Sequence, residues 1–404
     1  MSRRSTLKII LTVSSILRRN TSSLPVEVRY FSPLQYSHSM KIPGVIERES
    51  NRRLLESYQN LIFINRNRDD LIATDQREGA KHPNYSGASY EATLTRRYPI
   101  YASLARYVFT YPKYFKDSNL PALINESEYW TRVGDSFKKF IQKVWSPERP
   151  PLATDPSFFL AIDLEKLLDI NLLQARYLET YEAIELRLDF FIERRKDLPY
   201  AEILELLREA ISFVHLLVKA PLIMTIRTKA EGGVFTGDRK LYNKFYKDLS
   251  KDLVFTYYDI EYSEQNLQFI EYFVSKVKGI AYVTLSKHYF DYKNDKEVLK
   301  ELDAMTSVTA VDIYKIVLNE QNDINILDQL HIKKPLIKFK LGAKGNFHLR
   351  RYFVKEKTSC ANLGKESRMK CQFFCPVYDE LFDKPVAPGQ LTRDEILSKI
   401  ETLR

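Results

Sequence analysis

From residue 158 onward the chain repeats one texture: a short run of β-branched and aromatic residues, then a longer stretch with apolar residues at every third or fourth position. The runs are Phe158–Asp163, Ala183–Phe190, Leu222–Thr228, Phe255–Tyr262, Ile280–His288, Ala310–Val317, Pro335–Leu341 and Phe373–Tyr378. Helix-period stretches such as Tyr200–Lys219 and Ser263–Lys278 lie between most of them. Strands that alternate with helices bury their apolar faces in a parallel sheet covered by those helices. Eight such units over about 250 residues predict an α/β architecture, a (β/α)8 TIM barrel, at 153–404.

The stretch Trp145–Pro156 carries four prolines and interrupts both helix and ladder hydrogen bonding, so a division is expected near residue 152. Ahead of it, 41–152 reads as a smaller, partial α/β segment. Its expected elements are a charged helix at Glu47–Gln59, a strand at Leu61–Ile64, and helices at Arg96–Phe109 and Ser127–Val144. Residues 1–40 read as a basic tail: Arg3, Arg4, Lys8, Arg18 and Arg19 stand among Ser and Thr with no acid before Glu27. That composition suits an untethered tail and also a mitochondrial transit peptide.

With 44% hydrophobic and 13% aromatic residues, the chain has ample area for a core, which excludes collagenous and disordered classes. The net charge of +10 favours an anionic partner without choosing among metabolite, phosphate or nucleic acid. No apolar run has the length of a membrane span, so a cytoplasmic protein with no membrane partner is expected, nuclear if it is a regulator. Cys360, Cys371 and Cys375, with His348, lack the paired spacing of a zinc site, so no metal is expected. No helix-turn-helix, zinc-finger or RNP-like pattern supports direct nucleic-acid binding.

Barrel enzymes place their chemistry at the C-terminal ends of the strands. There the sequence collects Glu185, Arg187 and Asp189; Arg227 and Glu231; Asp259 and Glu261; Ser286 and His288; and Lys315. Singly, each has a structural reading as well. Asp259 and Glu261 fit alternating solvent-facing positions, His288 a hydrogen-bonded core histidine, and Lys315 a side chain reaching out at a barrel end. Together, five successive strand ends bearing charge require a ligand or an ion-pair network, because an unpaired buried ion costs several kcal/mol. A buried lysine beside arginines is expected to lose its proton readily and attack a carbonyl, with a histidine moving protons around the resulting imine. Two arginines can hold an oxygen-rich anion by forked hydrogen bonds.

These residues resemble the type I 3-dehydroquinate dehydratase family. The motifs are Glu-Leu-Arg-Leu-Asp at 185–189, Pro-Leu-Ile-Met-Thr-Ile-Arg-Thr-Lys-Ala-Glu-Gly-Gly at 221–233, Ser-Lys-His at 286–288 and Val-Asp-Ile-Tyr-Lys-Ile-Val at 311–317. Ser367-Arg368 and Ala-Pro-Gly-Gln at 387–390 follow in the family's order, after an insertion at about 343–363. The resemblance implies dehydration of 3-dehydroquinate to 3-dehydroshikimate through a Schiff base on Lys315, with no cofactor. It assigns the proton transfers to His288 and the orientation of that histidine to Glu231. Glu185, Arg187 and Arg227 would hold the ring hydroxyls, Arg368 the substrate carboxylate, and Gln390 would sit on a closing loop. The segments at 47–58, 61–71 and 96–109 are similar to the C-terminal part of a shikimate kinase domain, without a phosphate loop. That order resembles the fungal pentafunctional shikimate-pathway polypeptide and the quinate repressor derived from it. Two roles follow from the resemblance: a dehydratase acting on a hydroxy keto acid, with a homodimer as one assembly, or a non-catalytic sensor acting through a transcription-factor partner.

Overall fold

The computed structural model describes residues 8–9, 29–30, 49, 52–53, 61–65, 90–112, 124–153, 157–319, 321–330, 335–340, 374–382 and 390–402. Contacts divide the chain into Met1–Pro147 with Lys251–Leu253, and Glu148–Ser250 with Val254–Arg404. No helix among the described residues is long and apolar enough to cross a membrane.

In the first unit the strand Ile62–Asn65 pairs in parallel with Tyr107–Thr110, Ile62 standing opposite Tyr107. The helix Tyr90–Leu104 precedes the second strand, and its Tyr98 and Tyr101 pack against the buried Phe63, Ala105 and Val108. The expectation of a helix from Arg96 to Phe109 is therefore corrected. Helix gives way to strand because Tyr-Val-Phe-Thr is a β-branched and aromatic run with a pairing partner and a fully buried Val108. The last helix, Glu126–Trp145, is capped by the Asn125 side chain, which accepts from the Glu128 amide at 2.9 Å. Of the expected helix at Glu47–Gln59, residues 49, 52 and 53 are described, and all are helical.

The second unit is the barrel. Eight strands run parallel, in sequence order: Phe158–Asp163, Ala183–Arg187, Leu222–Thr225, Tyr257–Glu261, Tyr282–His288, Ile313–Leu318, Leu336–Lys340 and Cys375–Val377. The eighth pairs with the first, Cys375 opposite Phe158, which curls the sheet back on itself. Ser157 fastens this seam: its hydroxyl accepts from the Phe374 amide and its carbonyl from the Cys375 amide, both at 2.8 Å. The helices Leu172–Leu178, Tyr200–Leu217, Arg239–Leu249, Leu267–Val277 and Asp295–Thr306 connect successive strands, and their buried faces carry apolar residues such as Leu207, Val214, Phe245 and Phe273. Phe159, Tyr257 and Phe374 pack ring against ring at 5.0 Å. Apolar filling of this kind makes such a barrel a packed core, with chemistry confined to one end.

One strand is shorter than its apolar run. The second was expected to reach Phe190, but it stops at Arg187 and Leu188–Glu193 is helical. Asp189 thus leaves the strand end where it was expected with Glu185 and Arg187, and lies fully buried in the first turn of that helix.

Candidate active site

Register brings the polar residues level. Lys315 stands opposite Ser286, Ser286 opposite Glu261, and Thr225 opposite both Arg187 and Asp259 across its two neighbouring strands. Because strand side chains alternate, Glu185, Thr225, Asp259, Ser286 and Lys315 converge on one another. The Lys315 ammonium is almost wholly buried; its Nζ donates to Asp259 Oδ2 at 2.8 Å and lies 3.5 Å from Glu185 Oε1. The Phe159 ring closes it on another side, its centroid 5.4 Å away. The expectation that arginines would be the lysine's immediate neighbours is corrected: its contacts are carboxylates, because a buried cation is tolerated only when paired.

Asp259 is the hub. Besides Lys315, it accepts from Arg227 Nη2 at 2.9 Å and from the Ser286 hydroxyl at 2.5 Å. Burial pushes its carboxyl up, but Arg227, Lys315 and these hydrogen bonds outweigh burial and hold it well below the usual carboxylate range. Its carbonyl accepts from the Tyr246 hydroxyl, which in turn accepts from the Ile226 amide at 3.2 Å. Tyr242, one turn earlier on the same helix, accepts from the Glu261 amide at 3.0 Å. These phenols fill the gap left where the third strand ends at Thr225 and the chain parts from the fourth.

Arg227 lies just beyond the third strand, fully enclosed, and its Nη1 reaches Ser286 Oγ at 2.9 Å and Glu231 Oε2 at 3.4 Å. Glu231 sits on a single 3-10 turn, Lys229–Glu231. That turn folds back because Gly232 adopts φ +81° and Gly233 lies against the Arg227 carbonyl, where a Cβ would stand 2.1 Å from that oxygen. Gly233→Ala is expected to destabilise the barrel by about 1–3 kcal/mol, since backbone rather than a pliable side chain must move. A denaturant midpoint equal to the wild type's would contradict this.

The turn sets Glu231 Oε2 3.0 Å from His288 Nδ1. Burial, then Arg227 and Lys315, lower the histidine well below its ordinary pKa, so it is neutral at pH 7. Nδ1 lies 3.0 Å from Glu231 Oε2 and 3.3 Å from Arg227 Nη1; facing the Glu231 anion it is assigned the proton, which leaves Nε2 as a lone pair. Burial and the neighbouring Glu261 carboxylate push Glu231 well up, against the pull of Arg227 and Lys287.

Lys315, His288, Glu231, Glu185 and Arg227 are thus brought together as the motifs suggested. Arg187 joins them at the rim but is gripped by Asp189 through two parallel bonds of 2.9 and 2.8 Å. Gln390 is buried, and the adjoining Leu391 carbonyl accepts from the Tyr378 amide at 3.1 Å, just past the eighth strand. Arg368 lies outside the described residues, as does the insertion at 343–363. The sequence reading named Asp259 and Ser286 at the strand ends but gave neither a role in the site, and it did not single out Tyr246. The Asp-Ile-Glu alternation at 259–261 carried a signal for the first, whereas the tyrosine reads as an ordinary apolar helix position.

A parallel (β/α)8 barrel with an enclosed lysine amine beside a histidine–glutamate pair is equipped for carbonyl chemistry at that amine. Residues 159–348 match the family model described as Type I 3-dehydroquinase. Among curated proteins, the chain is 24% identical over 370 residues to a pentafunctional AROM polypeptide of Komagataella phaffii, covering 87% of this chain and 21% of that one. It is 27% identical over 215 residues to a 3-dehydroquinate dehydratase of Pyrobaculum aerophilum, covering 52% of this chain and 60% of the relative. The chain thus spans about a fifth of the length of the pentafunctional relatives it matches, 20–21% in several yeasts. A crystal structure of type I 3-dehydroquinate dehydratase from Clostridium difficile, with covalently modified comenic acid, is similar at 19% identity and a TM-score of 0.46, covering 62% of this chain and 93% of that one.

Proposed function

We propose that the barrel dehydrates 3-dehydroquinate to 3-dehydroshikimate through an imine on Lys315. The observation that carries this reading is the enclosure of the Lys315 amine, 2.8 Å from Asp259, at the same barrel end as the His288–Glu231 pair. In the reaction, the amine attacks the ring ketone and water leaves, giving an iminium that withdraws electrons from the adjacent C2–H bond. His288 Nε2 takes the C2 proton; the electron pair moves into the enamine and expels the C1 hydroxyl, which collects that proton and departs as water. Hydrolysis of the conjugated imine returns the free amine. Each proton transfer by a positioned base is worth about 10²–10⁴ in rate.

The charges in the pocket suit this sequence. Asp259 and Glu185 sit where the iminium cation forms, and transition-state charge is stabilised best by groups already in place. Arg227, Arg187 and Glu185 provide donors and acceptors for ring hydroxyls. Arg368 is assigned to the substrate carboxylate from its Ser-Arg motif, and Gln390 to the closing loop.

The test is borohydride reduction in the presence of 3-dehydroquinate, read by mass spectrometry, with turnover followed by absorbance of the conjugated product. A reduced adduct on Lys315 together with product supports the reading. Tight binding with neither would overturn it and make the barrel a receptor for the metabolite instead. His288→Ala is expected to slow turnover by about 10²–10⁴ while the adduct remains trappable. A variant that turns over at the wild-type rate would remove the histidine from the mechanism.

A further inference from the structure

Lys287, between Ser286 and His288, has no part in the reaction proposed above, yet it is tied into the site. Its Nζ lies 3.8 Å from Glu231 Oε1, the oxygen opposite the one that meets His288. The same Nζ is 2.8 Å from Oε1 of Glu301 on the helix Asp295–Thr306, and Glu301 Oε2 is 3.0 Å from Lys293 Nζ. Side-chain exposure climbs from 10% at His288 through 16% at Lys287 and 22% at Glu301 to 48% at Lys293. A row of alternating charges therefore runs from the imidazole outward to solvent.

The other groups facing Glu231 explain why this row is needed. Arg227 comes from the end of the third strand, Asp259 and Glu261 from the fourth, and Lys287 and His288 from the fifth. Arg227 is divided among Asp259 at 2.9 Å, Glu231 at 3.4 Å and Glu261 at 3.5 Å, so it neutralises none of them alone. Glu261 is fully buried and makes the Glu231 anion harder to keep. Lys287 supplies the missing cation, and Glu301 holds it in place from the helix side.

We propose that Lys287, clamped by Glu301, is a positioning residue that offsets the burial of Glu231 and favours its anion, so that the proton between Glu231 and His288 rests on Nδ1 and Nε2 is presented as the base. This rests on the dehydratase reading for its catalytic meaning, although the electrostatic coupling exists independently of turnover. Removing the lysine cation makes proton loss harder at both Glu231 and His288, so the two titrations move upward together. Removing the Glu301 anion leaves Lys287 less neutralised, and both titrations move downward. A merely structural disturbance has no reason to give opposite signs.

The experiment compares the wild type with Lys287→Met, Lys287→Arg and Glu301→Gln. It measures the His288 titration by NMR of histidine-labelled protein, assigned with His288→Gln, and the acid limb of kcat/KM against pH. Lys287→Met should raise both by about one pH unit, the usual scale for one charge in close range, while Lys287→Arg stays near the wild type. Glu301→Gln should lower both, and the borohydride-trapped adduct should persist in all three variants because Lys315 is untouched. Shifts of the same sign in Lys287→Met and Glu301→Gln, or no shift in either, would overturn the proposal. If the wild type itself fails to turn over, the dehydratase reading falls, and the NMR titrations still decide the coupling.

Discussion

Lys315→Met is expected to abolish the borohydride-trapped adduct and to lower turnover by about 10⁴-fold or more, the scale on which loss of a covalent nucleophile is felt. Methionine keeps most of the volume of the lysine stem, so the Phe159 contact survives and the loss reports chemistry rather than a cavity. The carboxylates tell the same story from the other side. Asp259 keeps Arg227 as a partner at 2.9 Å, and Glu185 keeps the Thr225 hydroxyl at 2.8 Å. Intact protein mass after reduction, with and without 3-dehydroquinate, is the measurement. An adduct of equal yield in Lys315→Met would place the imine on another amine and end the assignment.

Asp259→Asn is expected to cost about 3–5 kcal/mol of stability, because it removes one partner of a buried ionic cluster and leaves two cations facing a neutral amide. Lys315 would then have Glu185 at 3.5 Å as its remaining carboxylate, and Arg227 would turn to Glu231 and Glu261. Urea unfolding of the single and double variants checks this. The double variant Asp259→Asn with Lys315→Met should be less destabilised than the sum of the two singles, by about 0.5–3 kcal/mol, since removing the lysine relieves the charge that asparagine cannot balance. Strict additivity would mean that the 2.8 Å contact carries no coupling and that Asp259 serves Arg227 alone.

The barrel was legible because its signal is local. A run such as Phe-Phe-Leu-Ala-Ile-Asp at 158–163 is apolar on both faces, as a strand covered by helices on one side and a filled interior on the other must be. Where local and long-range signals disagree, the reading failed. Tyr107–Thr110 continues a helical pattern, but its strand partner lies at 62–65, too distant in sequence to be seen in a window. Leu188–Phe190 prolongs an apolar run, yet the chain turns there because Asp189 is drawn to Arg187 and to the Val234 amide at 3.2 Å.

The candidate site divides in the same way. Lys315, His288, Glu231 and Arg227 stand in short motifs, and such spacing is enough to pick out residue types suited to imine chemistry. The partner of the lysine was misjudged, since guanidinium groups were expected and carboxylates were found. Asp259 and Lys315 belong to the fourth and sixth strands; across the fifth, Lys315 is level with Ser286 and Glu261, and Asp259, two residues before Glu261 on the same face, comes within its reach. Lys287 is subtler still, because strand alternation alone would send it away from the site, and a glycine-led turn in another segment delivers Glu231 to it.

From its sequence alone this protein declared eight strands, their alternation with helices, and the residue types that sit at the strand ends. Those properties follow from the apolar period and short motifs, which neighbouring residues suffice to define. Which charge faces which was decided only in three dimensions. A buried ion's state depends on every group within a few ångströms, and closing the barrel is what assembles that neighbourhood from five separate strands and a helix.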